Sequence, residues 1–203
     1  MSKWSEIYKK KISEANSLDE FINDKLAYKK KLIDAVKKYS LVDGRILEVG
    51  CGSGITSTFL GQSGYQIIGV DKDPDMVELA TSIATRQNST TSFKLDDIKT
   101  LATISGHFDV IFSNGVMEHF SDSEIISIVN YHLSMSSYVI VSVPSDYFSE
   151  DQKTYGDERF MSVDQWCTIL SKTAGLIIEK FDFDYDTTVI GKPQFIGFVL
   201  SSL

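Results

Sequence analysis

The sequence predicts an α/β fold, a three-layer sandwich around a mostly parallel sheet, preceded by a helical extension. Three observations carry this prediction. Short apolar runs alternate with stretches of helical period between about residues 45 and 143, the pattern of βαβ units on a parallel sheet. The first run, Ile46-Leu47-Glu48-Val49, enters the glycine-rich turn Gly50-Cys51-Gly52-Ser53-Gly54, and the second, Ile67-Ile68-Gly69-Val70, ends in Asp71. Two further runs, about 176–185 and 194–202, follow one another with no helix between them, so as neighbours they must pair antiparallel.

Element by element, residues from about 3 to 40 read as helical, with a break near Ser13–Ser17. Ser17-Leu18-Asp19-Glu20 has the spacing of a capping box, and Leu18, Phe21, Ile22, Leu26, Ile33 and Val36 recur at helical intervals between lysines. Val42-Asp43-Gly44 turns the chain into a strand at 45–49, followed by a helix over 53–62 that stops near Gly64. A strand at 66–70 precedes Asp73-Pro74, where aspartate suits the cap and proline the first helical position. Strands are expected at 91–95, 108–113 and 138–143, the last closed by Pro144, with a helix between the final two opened by the capping box Ser121-Asp122-Ser123-Glu124. Ser162-Val163-Asp164-Gln165 caps another helix ending at Ala174-Gly175, and Gly191 and Pro193 mark the turn between the last two strands. The division expected is a helical lid over 1–42 and one domain over 43–203.

Composition narrows the possible roles. A chain of 203 residues with 42% hydrophobic content forms one domain with an ample core. No run reaches the ~18 apolar residues of a membrane span, and the charged start Met1-Ser2-Lys3-Trp4-Ser5-Glu6 lacks the apolar core of a secretory signal. Cys51 and Cys167 are far apart and without metal-type spacing, which reads as reduced thiols in the cytoplasm and no metal site. Residues 1–43 carry ten lysines against seven acids, whereas the rest of the chain is strongly acidic and brings the net charge to −8. An acidic body argues against nucleic acid as partner.

The glycine turn and Asp71 together describe a nucleoside crevice at the carboxyl end of the sheet. Glycines let the backbone approach a ligand, and an acid at the tip of the next strand accepts bonds from ribose hydroxyls. A nicotinamide dinucleotide binder prefers Gly-x-Gly-x-x-Gly. Here the third glycine comes one residue early, at Gly54, and Ile55 stands where that glycine would lie. Glu48 beside the turn would also repel a pyrophosphate.

Glu48-Val49-Gly50-Cys51-Gly52-Ser53-Gly54 resembles the acid-x-Gly-x-Gly-x-Gly signature of the class I, Rossmann-like S-adenosylmethionine-dependent methyltransferases, and the likeness extends over about residues 42–200. The resemblance implies a seven-stranded sheet with the last strand inserted antiparallel. It implies S-adenosylmethionine as cofactor and S-adenosylhomocysteine as product. By the same resemblance Glu48, Gly50, Cys51, Gly52 and Gly54 form the cofactor turn, with Glu48 orienting the cationic amino acid end. Asp71, with Lys72 beside it, takes the ribose, Met76 the adenine face, and Asp96, Asp97 and Ile98 the adenine edge, with Asp97 the better placed acid. Ser113-Asn114-Gly115-Val116-Met117-Glu118-His119-Phe120 resembles the family's motif after the fourth strand, so Asn114, Gly115 and Val116 should line the cofactor's amino end.

Methyl transfer from a sulfonium is an in-line displacement, and a held geometry lowers its barrier by ~7–11 kcal/mol. His119 is the candidate general base; His107 and His132 read as turn and helix-end residues. Tyr8 and Tyr28 from the N-terminal helices, with Tyr147, Tyr155 and Arg159 from the long aromatic and acidic stretch after the fifth strand, are the candidates for holding the acceptor. Arg159 equally suits a pairing with a nearby carboxylate. The absence of an Asn-Pro-Pro-Tyr run after the fourth strand counts against DNA amino-methylation. The expectation is methyl transfer to a small molecule by a monomer or homodimer. The alternatives are a non-catalytic binder of the same nucleoside, nicotinamide oxidoreduction, or aminopropyl transfer.

Overall fold

The computed structural model describes residues 2–183 and 193–202. The expected turn at Gly191, and the end of the strand expected to reach 185, lie outside these residues. Three helices open the chain, α1 (Lys3–Glu14), α2 (Leu18–Tyr28) and α3 (Lys30–Tyr39). The expected break before Leu18 is present, and a second one falls at Lys29, whose φ and ψ of −83° and 4° leave the helix. Ser17 caps α2 by accepting from the Glu20 amide, but the Glu20 carboxylate turns to Asn16 instead of closing a box.

The remaining elements are β1 (Arg45–Val49), α4 (Ile55–Gln62), β2 (Gln66–Asp71), α5 (Pro74–Arg86), β3 (Ser92–Leu95), β4 (Phe108–Asn114), α6 (Asp122–Met135), β5 (Ser136–Pro144), α7 (Val163–Leu170), β6 (Leu176–Phe183) and β7 (Phe195–Ser201). Single turns of 3₁₀ helix follow β4 at Met117–His119 and β5 at Glu150–Gln152. Capping boxes at Ser121 and Ser162 form as their spacing predicts. Helix α7 ends at Leu170, short of the expected Ala174-Gly175, because Ser171 and Thr173 turn their hydroxyls back onto the carbonyls of Thr168 and Leu170.

The sheet runs β3-β2-β1-β4-β5-β7-β6. Its first five strands are parallel, and β7 lies antiparallel to both β5 and β6. Strand periodicity sorts the core into two layers. Ile46, Val110, Phe112, Ile140 and Val199 face α3 and α4, packing with Leu32, Val36 and Leu60. Leu47, Ile111, Val139, Val141 and Phe198 face the other way, onto Ile125 and Val129 of α6 and Trp166 of α7. Helix α3 is therefore a layer of the sandwich, sharing its core with the sheet, and the division expected after residue 42 does not separate it from the domain. Helix α2 joins α4 and α5 through Phe21, Ile22, Ile55 and Ile83. Helix α1 lies against the glycine turn and the start of α5. Among the described residues no helix is long and apolar enough to cross a membrane.

Candidate functional site

The glycine turn is built from backbone that only glycine adopts without strain. Gly50, Gly52 and Gly54 have φ of 65°, 53° and 66°. Gly50 and Gly54 are also bare for a spatial reason. A Cβ at Gly50 would stand 2.6 Å from a Val116 methyl, and one at Gly54 would meet Phe93 at 2.5 Å and Ala80 at 2.7 Å. Gly54 thus lets α4 approach β3 and α5, so Ile55 is free to begin α4 as a core residue.

Asp71 closes β2 with its carboxylate turned to this loop, accepting from the amide of Gly52 at 2.9 Å and that of Asp73 at 3.0 Å. Burial raises its pKa and those two amides oppose the rise. Lys72 next to it is exposed, whereas Met76 is wholly buried, its methyl 3.9 Å from the position a Cβ at Gly52 would take. Glu48 is buried at the end of β1 and spends one oxygen on the amide and hydroxyl of Ser57, tying the strand to α4. Its pKa is raised by burial and drawn back by the Lys29 ammonium and the Ser57 bonds. Cys51 points its thiol into the protein, where burial and the charges of Glu48 and Asp71 raise its pKa well above the ordinary value.

After β3 the two adjacent acids part company. Asp96 is buried and accepts from the amides of Asp97, Ala102 and Thr103 and from the Thr103 hydroxyl, so its carboxylate is committed to shaping the loop. Asp97 is exposed and its carboxylate accepts only from the Lys99 amide among the described bonds, and Ile98 is buried beside it. After β4, Asn114 accepts from the Ser142 hydroxyl and the Gly115 amide donates to the Ser142 carbonyl, which fixes this segment against β5.

Helix α1 covers these elements. Ser2 caps it and bonds the side chains of Asp73 and Asp75 at the start of α5, where Ser5 also reaches Asp75. One turn further, the Tyr8 hydroxyl lies 3.3 Å from the Cβ position of Gly52 and is hydrogen-bonded to Ser53; burial pushes its pKa up to about 12, against the pull of Lys29. Lys29 itself, at the α2–α3 break, donates to Thr56 in the first turn of α4 at 3.3 Å. Its charge is felt by Tyr8, Glu48 and Cys51, so it is the cation of the turn. It is one lysine among ten in a basic segment, and nothing in its sequence context singles it out.

The residues expected on the acceptor side gather at the N-terminal end of α1, around Lys3 and Trp4. His119 Nδ1 is 2.6 Å from Asp157 Oδ1. A carboxylate only accepts, so Nδ1 carries the proton. Trp4 stacks on Tyr155 with ring centroids 5.1 Å apart, and His119 stands nearly perpendicular to both at 6.0 Å. Lys3 donates to the Tyr155 carbonyl and lies over its ring at 4.3 Å. Glu158 accepts from the amides of Thr154, Tyr155 and Gly156, which holds the loop in shape. Glu118 is buried with one oxygen unbonded, and burial, with the charges of Glu158 and Asp157, pushes its pKa up to about 8.

Three of the acceptor candidates lie apart from this cluster. Arg159 pairs with Asp122 at 2.7 Å, the second of its two expected readings. Tyr147 is 51% exposed at the surface, and Tyr28 packs on Phe183 and Phe195 at the margin of the core. His132 is more than a helix-end residue, being fully buried with Nε2 on the Ile98 carbonyl at 2.9 Å.

A parallel sheet of this order with its reversed seventh strand, a bare glycine turn after β1 and an acid closing β2 make up a Rossmann-like fold with a glycine-lined crevice at the carboxyl edge of the sheet. Residues 46–134 match the family model described as a methyltransferase domain. That match runs from β1 to α6, a little under half of the chain. A ubiquinone biosynthesis O-methyltransferase of Coxiella burnetii is 28% identical over 88 residues, which are 43% of this chain and 38% of that enzyme. The chain therefore matches well under half the length of that relative. The magnesium protoporphyrin IX methyltransferase of Synechocystis PCC 6803, solved with S-adenosylhomocysteine, superposes with a TM-score of 0.71 at 14% identity, over 98% of this chain and 94% of that one. The [4+2]-cyclase SpnF superposes at 0.67 with 16% identity, over 85% and 80% of the two chains. At such identities the likeness is one of fold, and the fold hosts more than one reaction.

Proposed function

We propose that this protein binds S-adenosylmethionine over the glycine turn and transfers its methyl group to a small-molecule acceptor at the carboxyl edge of the sheet. The observation that carries this is the glycine turn itself: three successive left-handed glycines, with the Asp71 carboxylate held against them by the Gly52 amide. The donor set suits a zwitterionic sulfonium nucleoside. Asp71 would take the ribose hydroxyls, Asp97 and Ile98 the adenine edge, and Gly115 and Val116 with the Asn114 carbonyl the ammonium. The Lys29 ammonium and Tyr8 hydroxyl would meet the carboxylate. When bound, the cofactor supplies an activated methyl group on a positively charged sulfur.

What the chain contributes is orientation and exclusion of water. Glu48 ties the turn to α4 with one oxygen on Ser57, and its other oxygen would be left for the cofactor's ammonium end. Helix α1 touches the nucleoside end through Ser2, the methionine end through Tyr8 and the acceptor end through Trp4, and so serves as the lid. A pyrophosphate fits poorly beside buried Glu48, which speaks against nicotinamide chemistry. The two free thiols and the absence of a spanning helix among the described residues support a cytoplasmic protein, as a monomer or homodimer.

Calorimetry with S-adenosylmethionine and S-adenosylhomocysteine tests this reading, with transfer of a labelled methyl group as the second measurement. Both nucleosides should bind and NAD should not. Binding of both without turnover on any acceptor would identify a regulatory binder instead, and absence of binding to well-folded protein would end the proposal.

A further inference from the structure

We infer, on the nucleoside reading proposed above, that His132 is the positioning residue for the purine edge of the site. By holding Ile98 from inside the protein it sets the preference for an aminopurine over an oxopurine.

Strand β3 is an edge strand, and the chain returns from it to β4 through residues 96–107 with no helix of its own. Hydrogen bonds therefore fix the shape of this loop. Asp96 gathers it from within. Helix α6 holds it from outside with side chains far along the sequence. Glu124 pairs with Lys99 at 2.7 Å, the Tyr131 hydroxyl donates to the Thr100 carbonyl at 2.7 Å, and His132 bonds the Ile98 carbonyl at 2.9 Å. Water competes for the first two, which are exposed. The bond from His132 is buried, and a buried carbonyl stripped of its donor is destabilising.

His132 stands at a core position of α6, among Ile125, Ile128, Val129 and Leu133. A leucine there would pack with no loss of hydration. The imidazole loses its hydration, and its Nδ1 has no partner among the described residues. Burial lowers its pKa to about 4, so the ring is neutral at neutral pH. A carbonyl only accepts, so the ring proton is on Nε2 and is given to Ile98. What this side chain adds over a leucine is that bond.

The loop presents an acceptor next to a donor. The Asp97 carboxylate takes only the Lys99 amide, and no described hydrogen bond uses the Ile98 amide. Adenine is the complement, since its exocyclic amino group donates and its neighbouring ring nitrogen accepts. Hypoxanthine reverses both and sets a carbonyl oxygen against the carboxylate. A site built to hydrogen-bond a polar group rejects the analogue that lacks it. Such discrimination needs both groups at a fixed spacing. Asp97 is set by its own turn, its carbonyl accepting from the amides of Thr100 and Leu101. Ile98 is set by His132.

Calorimetry on the full chain with S-adenosylhomocysteine and S-inosylhomocysteine tests the assignment. The wild type should prefer the adenosyl compound at least about thirtyfold. His132→Leu removes the donor and keeps an apolar filling. It should weaken the adenosyl compound about tenfold and shift the inosyl compound less than about threefold, so the preference collapses. His132→Gln, whose amide nitrogen reaches as far as Nε2, should retain the preference. His132→Asn, whose nitrogen stops at the place of Nδ1, should lose it. This polar pair carries the test should the leucine variant fail to fold, with urea unfolding as the check on each protein. Equal weakening of both compounds, the result expected of a merely structural histidine, overturns the inference. A preference that survives both His132→Leu and His132→Asn overturns it too, as does a wild type that binds the two compounds alike. In each of these cases the methyltransferase reading stands. A well-folded wild type that binds neither compound overturns both.

Discussion

The glycine turn and Asp71 lie on one βαβ unit, from Glu48 to Asp71, whereas the cluster around His119 is assembled from α1, the turn after β4 and the loop after β5. On the first side the constraints are local. Each glycine is set by its own φ, and Asp71 is oriented by the amides of Gly52 and Asp73; the packing of Val116, Phe93 and Ala80 against the turn is what comes from further along the chain. On the second side the partners are distant in sequence: Asp157 is 38 residues from His119, and Tyr155 lies still further from Trp4. The lesson is one of division of labour. A fixed ligand is met by a short stretch whose backbone geometry is self-determined. A variable ligand is met by side chains that the fold brings together, each replaceable without disturbing the turn.

The largest effect expected is on the cofactor side. Asp71→Ala removes the ribose acceptor and the anchor of the Gly52 amide, and should weaken S-adenosylhomocysteine about a hundredfold, or ~3 kcal/mol; an unchanged calorimetric Kd would break the comparison at its first half. Gly54→Ala imposes a Cβ on a left-handed residue against Phe93 and Ala80. It should cost about 2–4 kcal/mol in urea unfolding, and a variant of wild-type stability would mean that α4 need not approach β3 so closely.

On the acceptor side, Trp4→Ala should leave the Kd for S-adenosylhomocysteine within about threefold, a change under ~0.7 kcal/mol, while lowering acceptor turnover. Equal losses in both would show that the two sides are not separable. Tyr147→Ala, at an exposed position outside the cluster, should change stability by no more than ~0.5 kcal/mol and leave turnover unaltered.

The pH dependence of stability sharpens the same contrast. Glu118 keeps its proton in the native state to about 8, whereas an unfolded glutamate loses it near ~4.3. The native state then binds the extra proton, so stability falls as pH rises between these values, by up to ~1.4 kcal/mol per unit. His132 has the opposite sense. Burial lowers its pKa to about 4 despite its bond to Ile98, so it costs stability as pH falls from ~6.5, where the unfolded imidazole titrates, through about 4. Of the two groups, only Glu118 acts between pH ~6.5 and 8. Urea midpoints should decline over that window in the wild type and stay level in Glu118→Gln; a decline that survives the substitution would remove Glu118 as its source.

Much of the fold was legible because its signals are local. The capping serines at 121 and 162, the apolar strands and the reversed final pair all appear where periodicity and turn chemistry place them. The glycine turn was legible for the same reason. What the sequence left open has a common origin. That Asp96 rather than Asp97 would be consumed by its loop depends on where the amides of Ala102 and Thr103 come to lie. That α3 belongs to the sandwich depends on which apolar face finds the sheet.

The sequence by itself determined the sheet, the bare turn after β1 and the acid closing β2, because positive φ, strand alternation and helix capping are properties of a residue and its near neighbours. The tertiary structure alone decided that Lys29 rather than another lysine neutralises the turn, and that Asp157 rather than Glu158 orients His119. Those choices rest on through-space distance and burial, which no pattern of neighbours along the chain encodes.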